Sequence, residues 1–262
     1  MSNLHKQLEE VKVSSLEGDR YEAVVPDTLD LAERAKLAIN AITGSYDPKT
    51  REIFDTRYFY SKPPYMTHAP GVGRLCALQS KDAEALPMLR VMSGSQQNLG
   101  VDVDMMKMVS SLIEDDGIFY VLARPDRPWH GADVDYAHIA GQIRQFRALY
   151  VWYQYDGNPV WKALLDKMVK GIDKMTIHKE DYAYYPTRAG VSNETYLGSC
   201  YPKSGWKCAD EPENERESAE EGSVFMSYGY HQGPLALWYA MSGNKHALRL
   251  ATELVNFVTK PK

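Results

Sequence analysis

Cysteine is scarce in this 262-residue chain, with only Cys76, Cys200 and Cys208. An odd count without framework spacing reads as reduced thiols, although Cys200 and Cys208 could pair across a loop in an oxidising compartment. No apolar run approaches the about 20 residues of a membrane span. No basic stripe interrupts the net charge of −5, which argues against a nucleic-acid partner. The N-terminus lacks a charged-then-apolar export pattern. The chain as written therefore reads as cytoplasmic, or as secreted or periplasmic if a signal has been trimmed. A Gly-x-Ser-x-Gly elbow is absent, and Gly71-Val72-Gly73 is too short for a phosphate or dinucleotide loop. No short spacing of His, Cys or carboxylates reads as a metal site, and no cofactor is expected. Phenylalanine is sparse as well, 6 against 18 Tyr. Tyrosine pairs an apolar ring with a polar tip, which suits half-wet sugar clefts; most of these tyrosines read as lining helix seams.

What the chain does have is a phrase used three times. Arg90-Val91-Met92-Ser93-Gly94-Ser95, Tyr153-Gln154-Tyr155-Asp156-Gly157-Asn158 and Tyr239-Ala240-Met241-Ser242-Gly243-Asn244 share one plan. Each has an apolar or aromatic helix end, a small polar residue, a Gly, then Ser or Asn. Glycine closes a helix in the left-handed conformation, and the polar residue after it opens the next. The phrase predicts three tight turns between antiparallel helices, hence an all-α helical-hairpin repeat.

Apolar spacing of three and four predicts the helices themselves. They fall at 27–44, 82–93 with Pro87 inside, 102–114 with Asp102 as cap, 138–155, 159–175, 223–242 and 245–259. Residues 117–122 read as a short strand-type run. In the helix at 159–175, Val160 and Trp161 join Leu165, Met168 and Ile172 on the expected inner face. In the last helix, Leu248, Ala251, Leu254, Val255 and Val258 are expected inward. Residues 1–26 form a mixed-charge leader, and 27–262 the helical domain. The connections opposite the tight turns, 45–79, 115–137 and 176–222, are long and unlike one another. Long loops on one rim of a rigid scaffold are where binding and catalysis usually reside.

Repeated helix–[Ser/Asp]-Gly-Asn–helix units resemble the (α/α)6 toroid of the six-hairpin glycosidases. Trp152-Tyr153-Gln154-Tyr155-Asp156-Gly157-Asn158-Pro159 and Leu248-Arg249-Leu250-Ala251 look like a group of large bacterial proteins presumed to be glycoside hydrolases. The resemblance covers roughly residues 27–262. It implies inner helices at 82–93, 138–155 and 225–242 whose N-terminal ends face the substrate. A full toroid needs about twelve helices and this chain offers about seven. The expectation is a partial toroid of about three hairpins, the N-terminal half of a larger one. Its uncapped helical flank is expected to favour self-association.

On that rim four clusters converge. Tyr65, Met66 and His68 form one. Trp129, His130, Asp133, Asp135, Tyr136 and His138 form the second, with Gln142 one turn on. Tyr182, Tyr184, Tyr185, Arg188 and Glu194 form the third, and Glu221, Tyr228, Tyr230, His231 and Gln232 the fourth. Glycoside hydrolysis needs two carboxyl groups across the scissile bond, one as acid and one as base or nucleophile. Asp135 and Glu194 are the leading pair, with Asp133 and Glu221 behind them. Asp133 and Asp135 read equally well as caps of the helix that follows. Tyr65, His68, Trp129, His130, His138, Gln142, Arg188, Tyr230, His231 and Gln232 are the expected sugar contacts. Arg188 and the histidines would suit a uronate carboxylate. The expected activity is hydrolysis of an oligosaccharide or polysaccharide. A polysaccharide lyase and a non-catalytic carbohydrate-binding or scaffold protein on the same helices are the alternatives.

Overall fold

Gly94, Gly157 and Gly243 all adopt the left-handed conformation, with φ of 64°, 66° and 72°. Each donates its N–H to the carbonyl four residues back: Arg90 at 2.8 Å, Tyr153 at 2.9 Å and Tyr239 at 2.8 Å. In all three copies the small polar residue before the Gly accepts the N–H of the residue after it. Ser95 N bonds Ser93 Oγ at 3.1 Å, Asn158 N bonds Asp156 Oδ1 at 2.8 Å, and Asn244 N bonds Ser242 Oγ at 3.2 Å. The repeated phrase is therefore one hydrogen-bonded device.

The computed structural model describes residues 30–49, 51–53, 56–59, 65–68, 79–121, 135–185, 200–203, 205 and 230–259. Seven helices dominate them: α1 Leu31–Gly44, α2 Gln79–Ser93, α3 Leu99–Ser111, α4 Ile139–Asp156, α5 Pro159–Lys174, α6 Gln232–Ser242 and α7 Lys245–Thr259. The strands are short: β1 Tyr46–Asp47, β2 Glu52–Ile53, β3 Thr56–Phe59, β4 Tyr65–His68, β5 Tyr136–His138, β6 Ile177–His178, β7 Ala183–Tyr184 and β8 Cys200–Pro202. They make four antiparallel pairs, β1–β2, β3–β4, β5–β8 and β6–β7. The described part of the protein is all-α in class.

Caps fix most of the helix starts. Asp30 Oδ1 accepts from Glu33 N, and Asn158 Oδ1 from Val160 N, each at 3.0 Å. Pro159 stands at the first position of α5, where its missing N–H leaves nothing unpaired. The first turn is longer than the other two, because α3 does not begin until Leu99. Arg90 holds the intervening chain through the carbonyls of Ser95 at 3.1 Å and Gln97 at 2.6 Å. Asp102, expected as the cap of α3, instead lies fully buried and takes two hydrogen bonds from Arg90, at 3.0 and 2.6 Å. Asn98 precedes the helix in a left-handed conformation and donates to Thr43 of α1.

Pro87 sits inside α2 rather than delaying its start. A proline cannot donate to the carbonyl four residues earlier, here that of Ala83. The indole Nε1–H of Trp152 on α4 takes that place at 2.8 Å. The defect in one helix is thereby repaired by its neighbour, and α2 and α4 are held in register.

α4 is the central helix, packed against α2, α5 and α6. Phe146 and Tyr153 meet the Trp238 ring edge-on at 6.4 and 5.8 Å. In α7 the inward face differs from the expected one. Ala247, Leu250, Ala251, Leu254 and Phe257 are buried, while Leu248, Val255 and Val258 are exposed. The helix carries two apolar stripes, and the one containing Phe257 wins because Tyr182 and Tyr184 stack on that ring at 5.7 and 5.3 Å. Val160 is likewise exposed, contrary to expectation, at the first turn of α5.

Candidate functional site

Three extended segments cross beside the N-terminus of α4. Val121 and Tyr136 exchange backbone hydrogen bonds at 2.8 and 3.1 Å. β5 then pairs with β8, setting Tyr136 opposite Pro202, Ala137 opposite Tyr201 and His138 opposite Cys200. Ile118, Phe119, Tyr120 and Val121 are all buried, and that burial draws the 118–121 segment inward. It is bridged rather than a full strand.

The turn before it is pinned by close backbone contact. Gly117 has φ of 82°, and a Cβ there would fall 2.1 Å from the Lys167 carbonyl oxygen. A Cβ on Gly171 of α5 would in turn lie 2.3 Å from the Gly117 carbonyl. Only glycines permit this approach. It brings Asp116 to Lys174 at 3.0 Å and to the Tyr120 hydroxyl, which donates at 3.0 Å. Burial opposes ionisation of Asp116. The hydrogen bonds from Lys174, the Ile118 N–H and Tyr120 outweigh it, so the carboxyl lies below its ordinary pKa. Burial and the bond to Asp116 raise the Tyr120 phenol.

Asp135 lies just before β5, half-buried. Lys203, just after β8, reaches it at 3.4 Å and also binds Glu114. The Lys203 ammonium sits 5.1 Å over the Tyr120 ring. The bond to Glu114, with that to Asp135, raises the Lys203 pKa above its ordinary value. Lys203 is therefore a permanent cation between two carboxylates. Neither it nor Glu114 stood out in the sequence, because they are 89 residues apart and neither belongs to a motif.

His138, rather than Asp135, caps α4: its Nδ1 accepts the Gly141 N–H at 3.1 Å. Burial lowers its pKa to about 4, and the Arg144 charge adds to the effect. The ring is neutral near pH 7 and carries its proton on Nε2. Arg144 also lies over the Tyr230 ring at 5.7 Å, which joins the start of α4 to the start of α6. His231, fully buried at that start, leans on Tyr185 with ring centroids 5.0 Å apart. Gln232, half-buried, opens α6.

Several expected sugar contacts have other duties. Gln142 is fully buried, and its amide forms a two-way pair with the Phe119 backbone, at 2.9 Å to the N–H and 2.7 Å to the carbonyl. It anchors the 118–121 segment and has no free group to offer a ligand. Tyr182, Tyr184 and Tyr185 are core residues, not rim residues. Tyr65 and His68 lie on β4, opposite Phe59 and Thr56, in a hairpin paired with itself. Trp129, His130, Asp133, Arg188, Glu194, Glu221 and Tyr228 fall outside the described residues. Glu114, Asp135 and Lys203 form one group beside β5 and β8, while Arg144, whose charge reaches His138, meets Tyr230 at the start of α6, where His231 and Gln232 follow in the chain. Among the described residues no group of three or more His, Cys, Asp or Glu could hold a metal ion. No described helix is long and apolar enough to cross a membrane. Comparison with protein families, curated proteins and solved structures finds no match to this chain.

Proposed function

We propose that this chain is a glycoside hydrolase-like domain built on part of an (α/α)6 toroid, acting on an oligosaccharide or polysaccharide that contains uronic acid. The observation that carries this reading is the pairing before α4, where Asp135 and Glu114 flank Lys203, together with the Arg144 guanidinium over the Tyr230 ring further along that helix. Asp135 serves as the base or nucleophile, since a permanent ammonium beside it matches the ionised form that role requires. The acid that protonates the leaving oxygen is Glu194. Arg144 and Lys203 supply cations for a uronate carboxylate, and the Tyr230 ring a face for the sugar.

The same cations favour a second reading. A polysaccharide lyase must neutralise the uronate carboxylate before a base removes the neighbouring proton, and Tyr or His commonly moves that proton. The two reactions separate by product: elimination leaves a double bond absorbing in the near ultraviolet, and hydrolysis does not. The test is turnover on neutral and uronate-containing glycans with native protein and Asp135→Asn. Hydrolysis is expected to fall by about 10²- to 10⁴-fold in the variant with helical circular dichroism unchanged. Unchanged rates would remove Asp135 from catalysis. Binding without turnover on any glycan would leave the non-catalytic carbohydrate-binding protein as the reading.

A further inference from the structure

Arg144 stands apart from the other arginines whose side chains are described. Arg51, Arg90, Arg147 and Arg249 each meet a carboxylate: Asp104 at 3.5 Å, Asp102 at 2.6 Å, Glu84 at 2.6 Å and Asp173 at 3.0 Å. Arg34 is exposed to solvent. Arg144 is half-buried, and among the described residues its guanidinium makes no hydrogen bond or ion pair. α4 contains one acidic residue, Asp156 at its far end, and α6 contains none. The Tyr230 ring, 5.7 Å from the guanidinium, is a partner for the cation but brings no opposite charge. Of the two cations at the candidate site, Lys203 already lies between Glu114 and Asp135. Arg144 is the one whose charge no described residue answers. A half-buried guanidinium in a chain of net charge −5 is thus left for an anion from outside.

A second donor stands beside it. His138 folds back so that its Nδ1 accepts the Gly141 N–H at 3.1 Å, which leaves the proton of the neutral ring on Nε2. Gly141 and Arg144 are three residues apart and share a face of α4, and the Arg144 side chain leaves the helix tilted toward its N-terminus. Its charge is near enough to the His138 ring to oppose protonation there. The planar fork of a guanidinium matches the two oxygens of a carboxylate, and a neutral imidazole N–H adds a donor without adding charge. We propose that Arg144 and the Nε2–H of His138 form a carboxylate receptor at the start of α4, with the Tyr230 ring beside it for the body of the ligand. The carrier of the carboxylate rests on the glycosidase reading above, under which it is a uronic acid. Preference for acidic over neutral sugars then lies with Arg144 and His138, not with the carboxylate pair before α4.

Isothermal titration calorimetry of the full chain with glucuronate, glucose and acetate reads the receptor directly. Glucuronate is expected to bind with a Kd of about 1 mM, and glucose at least about tenfold more weakly. Arg144→Gln is expected to weaken glucuronate by about 10- to 100-fold, and Arg144→Lys by about tenfold, since lysine keeps the charge and loses the fork. His138→Asn, which keeps an acceptor for Gly141 and lacks the Nε2 donor, should lose about five- to tenfold. Arg147→Gln removes an equal charge three residues along α4, one already paired with Glu84, and should leave the affinity within about twofold. Helical circular dichroism checks each variant, and Arg144→Lys carries the test if Arg144→Gln loses that signal. Equal losses in Arg144→Gln and Arg147→Gln would reduce the effect to general charge and overturn the proposal. So would a native chain that binds neither glucuronate nor acetate. Unaltered glucuronate affinity in His138→Asn overturns the part given to Nε2–H. Acetate bound through Arg144 by a chain that binds no sugar sustains the receptor and overturns the sugar reading. Turnover of neutral glycans without binding of either anion does the reverse.

Discussion

At the turn end of the helix pairs, most of the determining contacts lie within a few residues of one another: Gly to the carbonyl four back, the polar side chain to the N–H two ahead. At the loop end they span the chain. Gln142 and Phe119 are 23 residues apart, Asp135 and Lys203 are 68, and Glu114 and Lys203 are 89. The turn end is thus specified by local chemistry, and the loop end by packing that exists only once the helices have docked. Candidate chemistry gathers at the second, where neighbouring residues come from separate segments and can vary without disturbing the scaffold.

The first turn departs most from this contrast, and breaking it should produce the largest effect. Its extra length is held by a buried guanidinium that also serves Asp102. Arg90→Met leaves the Asp102 carboxylate buried without its partner, which costs about 3–5 kcal/mol. A urea midpoint lowered to that extent, with unchanged slope, is the expected result. The double variant Arg90→Met, Asp102→Leu should recover much of the loss, since the costly element is the stranded charge. A loss below about 1 kcal/mol in the single variant would mean that the turn is held without this pair.

At the loop end the comparable probe is acid. The His138 pKa is lowered from 6.5 to about 4, so between those values the unfolded chain takes up a proton that the folded chain refuses. Stability therefore falls as the pH drops through this window and levels off below it. The two values correspond to at most about 3 kcal/mol. His138→Asn keeps a side-chain acceptor for Gly141 and removes the titration, so its stability should be flatter across the same window. An unaltered pH profile in the variant would show that the ring is solvated rather than held neutral by burial.

Between the two ends lies the repair of α2 by α4. Trp152→Phe should cost about 1–3 kcal/mol, because it leaves the Ala83 carbonyl buried without a donor. Pro87→Ala in that background restores the helical N–H to the same carbonyl. The expected signature is a large coupling in the double-mutant cycle, with Trp152→Phe much less costly when residue 87 is alanine. Additive losses would place the cost of Trp152→Phe in packing alone.

Much of the fold could be read from sequence for the same reason that the turn end is robust. The Gly turns, the Asn158 cap, Pro159 and the 3–4 spacing of α4 and α5 are local signals, and each helix appears within a few residues of its expected bounds except α6, expected from residue 223 and beginning at Gln232. The local rules erred where a distant partner intervened. Asp102 looks like a cap until Arg90 claims it. Gln142 looks like a rim hydrogen-bonder until Phe119 arrives 23 residues away to occupy it. The α7 face could not be chosen because both stripes have helical period, and the choice rests with Tyr182 and Tyr184. In the candidate site Asp135 and His138 could be anticipated from their position before α4. Glu114, Arg144 and Lys203 could not, because nothing near them in sequence marks them as neighbours.

The smallest effect tests whether the turn end is purely local. Asn158 and Asn244 occupy the same place in their turns, and both cap the following helix: Val160 N and Ala247 N donate to their Oδ1 atoms at 3.0 and 3.1 Å. Asn244 has a second task. Its Nδ2 donates to Asp166 Oδ1 on α5 at 2.7 Å, alongside the Trp238 indole at 3.0 Å. Burial opposes ionisation of Asp166, but the bonds from Lys162, Asn244 and Trp238 prevail and lower its pKa. That contribution to stability is present above the ordinary carboxyl pKa and is lost as the pH falls through the lowered one. Aspartate caps a helix as well as asparagine does, so Asn158→Asp should change stability by less than about 0.5 kcal/mol. Asn244→Asp keeps the cap but loses the donor and sets a second carboxylate against Asp166, for a loss of about 1–2 kcal/mol near pH 7. The difference should shrink as acid protonates the pair. Equal effects at the two positions would make the second and third turns interchangeable local devices. Unequal ones would show that the third turn also helps hold α5 against α6 and α7.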